Sequence, residues 1–254
     1  MRTPIITSPF LPVWQQEHYI HSYQADAQGR VYVGAMVHFL QESAWRHAEQ
    51  LGMGYKALAL AGQYWVLSRL FVHFHQFPHW CDTVTVETWP RGLDGVFAMR
   101  EFRMFGAEGS IVAEASSAWL ILDSQTHRPS RSGLACFNGV DLRRDRATEY
   151  MPLKITLPDA MENRGSVEVH LSDIDVLKHV NNVRYLNWAL DRTPELYNGA
   201  SVESVELNFL SESHVGDTIE LYRGFEGNTC FFSMTKMENS EACRCKIGLL
   251  PTKR

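Results

Sequence analysis

No stretch of the chain approaches the run of about 18 apolar residues that a membrane-spanning helix needs. Basic excess is also missing, because 24 Lys and Arg face 29 Asp and Glu for a formal charge of −5. No Lys/Arg-rich run with interleaved aromatics appears, so binding to a nucleic-acid backbone is not expected. Cysteine is sparse and odd in number: Cys81, Cys136, Cys230, Cys243 and Cys245 are scattered, which excludes a disulfide framework and fits a reducing compartment. Cys243 and Cys245 share one strand face and read as packing residues, with no second Cys or His pair to complete a zinc set. There is no G-x-S-x-G elbow, so a serine hydrolase is not supported. The absence of G-x-G-x-x-G and Walker loops removes nucleotide-dependent chemistry. Prolines at 4, 9 and 12 break the apolar character of the first residues, which makes a poor signal peptide and leads us to expect a cytoplasmic protein.

What is present is 45% hydrophobic residues in 254, enough for two domains of about 110 to 130 residues each. Apolar positions at Met36, Phe39, Leu40, Ala44, His47 and Leu51 follow the three-and-four spacing of an amphipathic helix ending near Gly52 or Gly54. An extended stretch around Tyr19 to Tyr23 and a turn at Asp26 to Gly29 precede it. Strand-like runs follow at 65–75, 83–89, 96–105 and 110–122. From Asp123 to about Arg164, prolines, the stretch Arg143-Arg144-Asp145-Arg146 and weak periodicity read as a linker crossing a surface.

The pattern then repeats. An extended segment at 167–171, a polar turn and a helix over 183–190 are followed by strand-like runs at 202–210, 218–225, 229–237 and 242–250, with a Gly227-Asn228 hairpin signal. HQFPHWCDTVTV (75–86) and LSESHVGDTIEL (210–221) each place a His three residues before an Asp-Thr pair, so the chain reads as an internal duplication. Burying both the helix stripe and one sheet face requires each antiparallel sheet to wrap around its helix. The expected fold is therefore α+β, a tandem (double) hot-dog. Its expected parts are an N-terminal domain at 10–130, a linker at 131–164 and a C-terminal domain at 165–254.

The densest polar cluster, Asp173 to Tyr185, sits immediately before the second helix. Unpaired N–H groups at a helix start suit the oxyanion that forms when a carbonyl is attacked. Asp175 and His179, four apart, are placed to orient and to exchange a proton. Taken alone, such an Asp is more often a cap and such a His more often packed or solvated. Glu212, at the end of a strand expected to lie beside the motif, is the second carboxylate.

The motif D-x-D-x-x-x-HVNNVRY resembles the signature of acyl-ACP thioesterases, the plant plastid and bacterial enzymes that end fatty-acid synthesis. HFLQESAWRHAEQLG (38–52), WVLSRL (65–70), VETWPRG (86–92) and ASSAWLILDSQTHRPSR (115–131) resemble the same family's N-terminal domain, in the family's order. The resemblance implies hydrolysis of a fatty acyl thioester on acyl carrier protein. It puts the family's catalytic Asp on Asp175, its His on His179 and its glutamate on Glu212, with Asn181, Asn182 and Tyr185 at the substrate and neither cofactor nor metal. Where the family carries an Asn the chain has Leu177, and where plant members have a Cys it has Ser213. The first copy has Phe77 opposite Glu212, so only the second keeps the chemistry. An acyl-CoA thioesterase of the same fold, or an acyl-binding protein without turnover, stays open.

The first half is expected to shape the acyl channel: the helix stripe Met36, Phe39, Leu40 and His47 and the strand aromatics Trp65, Trp89 and Trp119 read first of all as core, with part of that set lining the channel. An acidic carrier protein calls for a basic landing patch, with Arg128, Arg131, Arg143, Arg144 and Arg146 as candidates. His73, His75 and His79 lack a carboxylate at useful spacing for a metal. Two fused copies satisfy a dimer-like interface internally, so a monomer or a homodimer is expected.

Overall fold

A computed structural model describes residues 12–131, 133–137 and 142–250, so the outer limits expected at 10 and 254 lie outside the described residues. In chain order the strands are β1 (Trp14–Tyr19), β2 (Gln63–Phe74), β3 (Thr83–Asp94), β4 (Phe97–Phe105), β5 (Ile111–Asp123), β6 (Glu162–Glu168), β7 (Ser201–Phe209), β8 (Thr218–Glu226), β9 (Thr229–Lys236) and β10 (Glu241–Leu250). The helices are α1 (Val33–Gln50), α2 (Tyr55–Leu60), α3 (Asn182–Leu190) and α4 (Pro194–Tyr197).

All the strand pairs are antiparallel, and the order β1-β3-β4-β5-β2-β7-β10-β9-β8-β6 is palindromic. The tandem hot-dog is therefore present, and its two copies pair their sheets. The two sheets are fused into a single ten-stranded sheet, because β2 pairs with β7 from Arg69↔Asn208 to His73↔Ser204. This pairing covers what would be two open sheet edges.

The helices fill the concave side. Met36, Phe39, Leu40, Ala44 and His47 of α1 are buried in the core beneath β3, and Val183, Leu186 and Ala189 of α3 join the same cluster. Gly34 sets how closely α1 and α3 approach, since a Cβ there would meet the Asn187 amide at 2.3 Å and Val183 Cγ1 at 3.1 Å. The second helix has nine residues, close to the expected 183–190, and Thr193-Pro194 restarts the chain as the short α4.

Two edge strands differ from expectation. The first strand lies at Trp14–Tyr19, and the Tyr19–Tyr23 region turns into a short 3₁₀ segment at Ser22–Gln24, where the Gln24 side chain accepts from His21 N–H. The strand was obscured because its half-buried face carries Gln16 and His18 beside Trp14, so polarity does not alternate with burial. Likewise β6 begins at Glu162, ahead of the expected boundary at 165.

The connecting segment does cross a surface, but it is fastened there. Ile155 N–H donates to Asn208 Oδ1 at 2.7 Å, Leu153 N–H to Glu206 Oε1 at 2.8 Å and Ala147 N–H to Glu101 Oε2 at 3.2 Å. Trp89, one of the aromatics read first of all as core, is fully buried: its indole donates to Asp145 O at 3.0 Å, and Arg143 stacks on its ring at 3.9 Å.

Candidate active site

The duplication can be followed hydrogen bond by hydrogen bond. Asp26 N–H donates to Arg30 O and Gly29 N–H to Asp26 O; Asp175 N–H donates to His179 O and Lys178 N–H to Asp175 O. Gly29 and Lys178 both take left-handed backbone, at φ 78° and 68°. Val31 N–H donates to Pro78 O and Val180 N–H to Ser213 O, both at 2.9 Å. His79 N–H is capped by Asp82 and His214 N–H by Asp217, at 2.8 and 2.9 Å. Each half thus holds a tight turn before its helix, tied to the loop ahead of its third hydrogen-bonded strand.

Because the frames match, the side chains that differ carry the information. Arg30 in the first half is His179 in the second, Phe77 is Glu212, and Tyr32 is Asn181. His179 Nε2 and Glu212 Oε2 are 3.3 Å apart, both partly exposed. Glu212 is fixed from behind by Lys236, whose ammonium donates to its backbone carbonyl at 2.8 Å.

Asp175 has a different task in this geometry. Its Oδ1 accepts from Leu177 N–H at 2.8 Å, as Asp26 Oδ1 accepts from Gln28 N–H at 2.9 Å in the half without the chemistry. It holds the turn that carries His179. Asn181 is the helix cap, its side chain accepting from Val183 N–H at 3.0 Å, which satisfies one orphan amide of the first turn. The ion pair of the buried Asp173 with the partly exposed Arg184 and the bond from Asn181 N–H to Asp173 O fasten the turn to α3.

Asp175, Leu177, His179, Asn181, Asn182, Tyr185 and Glu212 all line one cleft of about 1790 Å³. Tyr185 is itself only 3% exposed and packs edge-on against Trp188 and Phe209, and burial pushes its phenol above the ordinary range. The opposite wall comes from the first half and includes Trp65, Leu67 and Trp119. Met36, Phe39, Leu40 and His47 are buried in the core, the reading their spacing favoured first; the face of α1 that lines the cleft carries His38, Gln41, Ala44, Trp45 and Ala48. The counterpart hollow around Arg30 and His79 holds about 520 Å³ and is also lined by Leu196, Tyr197 and Gly199.

Several residues of the site escaped the sequence reading. His214 stands edge-on to His179, with ring centroids 5.1 Å apart. Tyr64 lines the cleft, and its phenol is raised by burial and then by the charge of Glu212, which links β2 to the loop carrying Glu212. Arg100, 7% exposed at the cleft wall, donates to His47 Nδ1 and Thr88 Oγ1, and burial lowers its guanidinium to about 10. The signal for His214 was the repeated His-x-x-Asp-Thr; for the other two there was none, because their partners are remote in sequence.

The remaining candidates are dispersed. Cys230, Cys243 and Cys245 are fully buried and their thiols are pushed up by burial, Cys230 to about 12, so they pack and do not attack. Against expectation, His75 does have a carboxylate partner, Glu114 at 3.3 Å, which β5 brings alongside β2. Among the basic candidates Arg143 is held by Glu87 and Asp145, while Arg128, Arg131, Arg144 and Arg146 are exposed.

Comparison with known proteins agrees with this architecture. Residues 12–132 match the family model of the acyl-ACP thioesterase N-terminal domain, and residues 157–249 that of the acyl-ACP thioesterase C-terminal domain. The chain is 22% identical over 232 residues to an oleoyl-acyl carrier protein thioesterase of Arabidopsis thaliana described as chloroplastic, covering 82% of this chain and 61% of the relative. It therefore spans less than two thirds of the plant protein's length. An acyl-ACP thioesterase structure from Bacteroides thetaiotaomicron superposes with a TM-score of 0.86 at 24% identity, over 94% of this chain and 98% of that one. The 12:0-ACP thioesterase of Umbellularia californica gives 0.81 at 21% identity, over 94% and 98%. With both domain models matched in order over most of its length, the chain belongs to the acyl-ACP thioesterase family.

Proposed function

We propose that the protein hydrolyses the thioester of fatty acyl groups carried on acyl carrier protein, releasing the free fatty acid. The observation that carries the reading is the His179–Glu212 contact of 3.3 Å on the wall of a cleft whose far side is aromatic and apolar. At about 1790 Å³ the cleft exceeds the roughly 300–1,000 Å³ of ordinary small-molecule sites, which suits an acyl chain together with its pantetheine arm. In this mechanism Glu212 takes a proton from water as its oxygen attacks the thioester carbon. The oxyanion forms at the start of α3, where Asn182 supplies the amide left after Asn181 has capped Val183. Collapse breaks the C–S bond, and the thiol leaves with a proton delivered through His179.

The acyl chain runs along Trp65, Leu67 and Trp119 toward Arg100. Arg128 sits between His127 and Pro129, which line the cleft, and Lys178 lines it from the other half, so both are placed at its rim for an acidic partner. Arg143 is withdrawn from that surface by its own ion pairs. Among the described residues no helix is long and apolar enough to cross a membrane; a cytoplasmic setting remains our proposal.

The test is turnover by purified protein on a panel of acyl-ACPs and matching acyl-CoAs, with His179→Ala and Glu212→Gln alongside. Loss of the general base should cost on the order of 10²–10⁴-fold. Full turnover by Glu212→Gln would refute the mechanism, and preference for CoA substrates would refute the carrier assignment. Leu177, whose apolar side chain lies on the cleft wall, favours a second reading in which the protein binds acyl groups without cleaving them. Acyl binding with no turnover at any chain length would establish it.

A further inference from the structure

We infer that His179, Glu212 and His214 form a site for a divalent transition-metal ion, with Zn²⁺ as the ion whose chemistry fits. One potential ligand atom from each residue lies within 4.8 Å of the other two. On a tetrahedral zinc with bonds of about 2.0–2.1 Å, neighbouring ligand atoms stand about 3.3 Å apart. His179 Nε2 and Glu212 Oε2 are already at 3.3 Å. His214 is exposed and edge-on to His179 at 5.1 Å between ring centroids, so rotation of one side chain brings its nitrogen in. Two imidazoles and a carboxylate match zinc better than magnesium or calcium, which favour oxygen ligands, and three protein ligands leave a fourth position open.

The backbone is prepared for it. Glu212 and His214 flank the buried Ser213, whose carbonyl accepts from Val180 N–H at 2.9 Å, so the loop carrying two ligands is joined directly to the turn carrying the third. The first half supplies the comparison. Its equivalent frame presents Arg30, Phe77 and His79, a cation, an apolar ring and one imidazole, which hold no cation. The ligand set is thus a choice of side chains in the second half, and the shared backbone does not explain it. The ammonium of Lys236 lies against the Glu212 carbonyl, a charge that opposes the ion and that binding must overcome.

A bound ion takes the His179 nitrogen and the Glu212 oxygen that the proposed hydrolysis requires, and so acts as a reversible inhibitor. Binding stands apart from that reading; inhibition rests on it. The experiment titrates chelator-treated protein with Zn²⁺ in competition with a chromophoric chelator, and separately with Co²⁺ read by its visible absorption. Wild type should take up one ion per chain. His214→Ala should weaken binding by at least about tenfold, or 1.4 kcal/mol, and His75→Ala should leave it unchanged. Absence of stoichiometric binding, or loss in His75→Ala in place of His214→Ala, overturns the proposal. In the turnover assay Zn²⁺ should inhibit over its binding range and a chelator should restore activity. Binding by a protein that shows no turnover in zinc-free buffer would refute the hydrolase and leave the metal site standing, whereas turnover without binding does the reverse.

Discussion

Asp175 is the residue at which the family resemblance and the geometry make different demands. If its charge acts on the reacting groups, Asp175→Asn should be as damaging as His179→Ala. The structure gives the carboxylate another partner: Oδ1 accepts from Leu177 N–H at 2.8 Å and shapes the turn. Asn retains that acceptor. The difference between a charged and a neutral acceptor is about 1 kcal/mol, less at a partly exposed site, so Asp175→Asn should lose at most about tenfold in kcat/KM. Asp175→Ala removes the acceptor, costs about 1–2 kcal/mol of turn stability and should lower kcat/KM by a further one to two orders of magnitude by misplacing His179. The duplication supplies a control. Asp26→Ala should cause a comparable loss, seen as a Tm drop of about 2–4 °C per kcal/mol, while leaving turnover intact. The assay is steady-state hydrolysis of one acyl-ACP with thermal unfolding measured in parallel. Asp175→Asn falling as far as His179→Ala would refute the positioning role.

Two further outcomes follow from buried charge. Burial raises the Glu206 carboxyl above 4.5 despite its bond from Leu153 N–H, so the folded state binds its proton more tightly than the unfolded chain. Stability from this group is complete below pH 4.5 and is lost as pH rises through the folded value. Glu206→Gln keeps the acceptor, and its advantage over wild type in chemical denaturation should grow from none near pH 4 to on the order of 1 kcal/mol at pH 7; a constant or opposite difference contradicts this. Arg100 lines the cleft with a buried cation whose hydrogen bonds go to His47 and Thr88, neither of them a carboxylate. Arg100→Met should be neutral or stabilising by up to a few kcal/mol and should move selectivity toward longer acyl chains, and unchanged selectivity across the acyl-ACP panel would remove Arg100 from the channel.

Local chemistry was readable along the chain. The stripe through Met36, Leu40 and Ala44, the Gly227-Asn228 hairpin and the two His-x-x-Asp-Thr loops each express a period or a turn, and each appears where its residues require. Contacts set by strand pairing were not readable. Glu114 reaches His75 only because β5 lies beside β2, and the connecting segment is held because Asn208 and Glu206 face outward from β7. Which of Trp65, Trp89 and Trp119 reach the cleft was not readable for the same reason: aromaticity marks burial, but whether a buried ring faces a cleft depends on which side of the sheet its strand presents.

The duplication also separates what the fold demands from what the chemistry demands. Features present in both halves, the Asp at the turn, the left-handed residue three positions on and the Asp that caps the following loop, are architectural, because the half without a Glu–His pair keeps them. Features that differ are the candidates for function. His179 and Glu212 pass this test, and Asp175 does not. Lys178 passes it in an unexpected way. Gly29 occupies the matching left-handed position without strain, whereas a side chain there costs roughly 1–2 kcal/mol. A cationic residue at that cost beside His179, on the rim of the cleft, puts positive charge where the proposed acidic carrier would deliver its thioester.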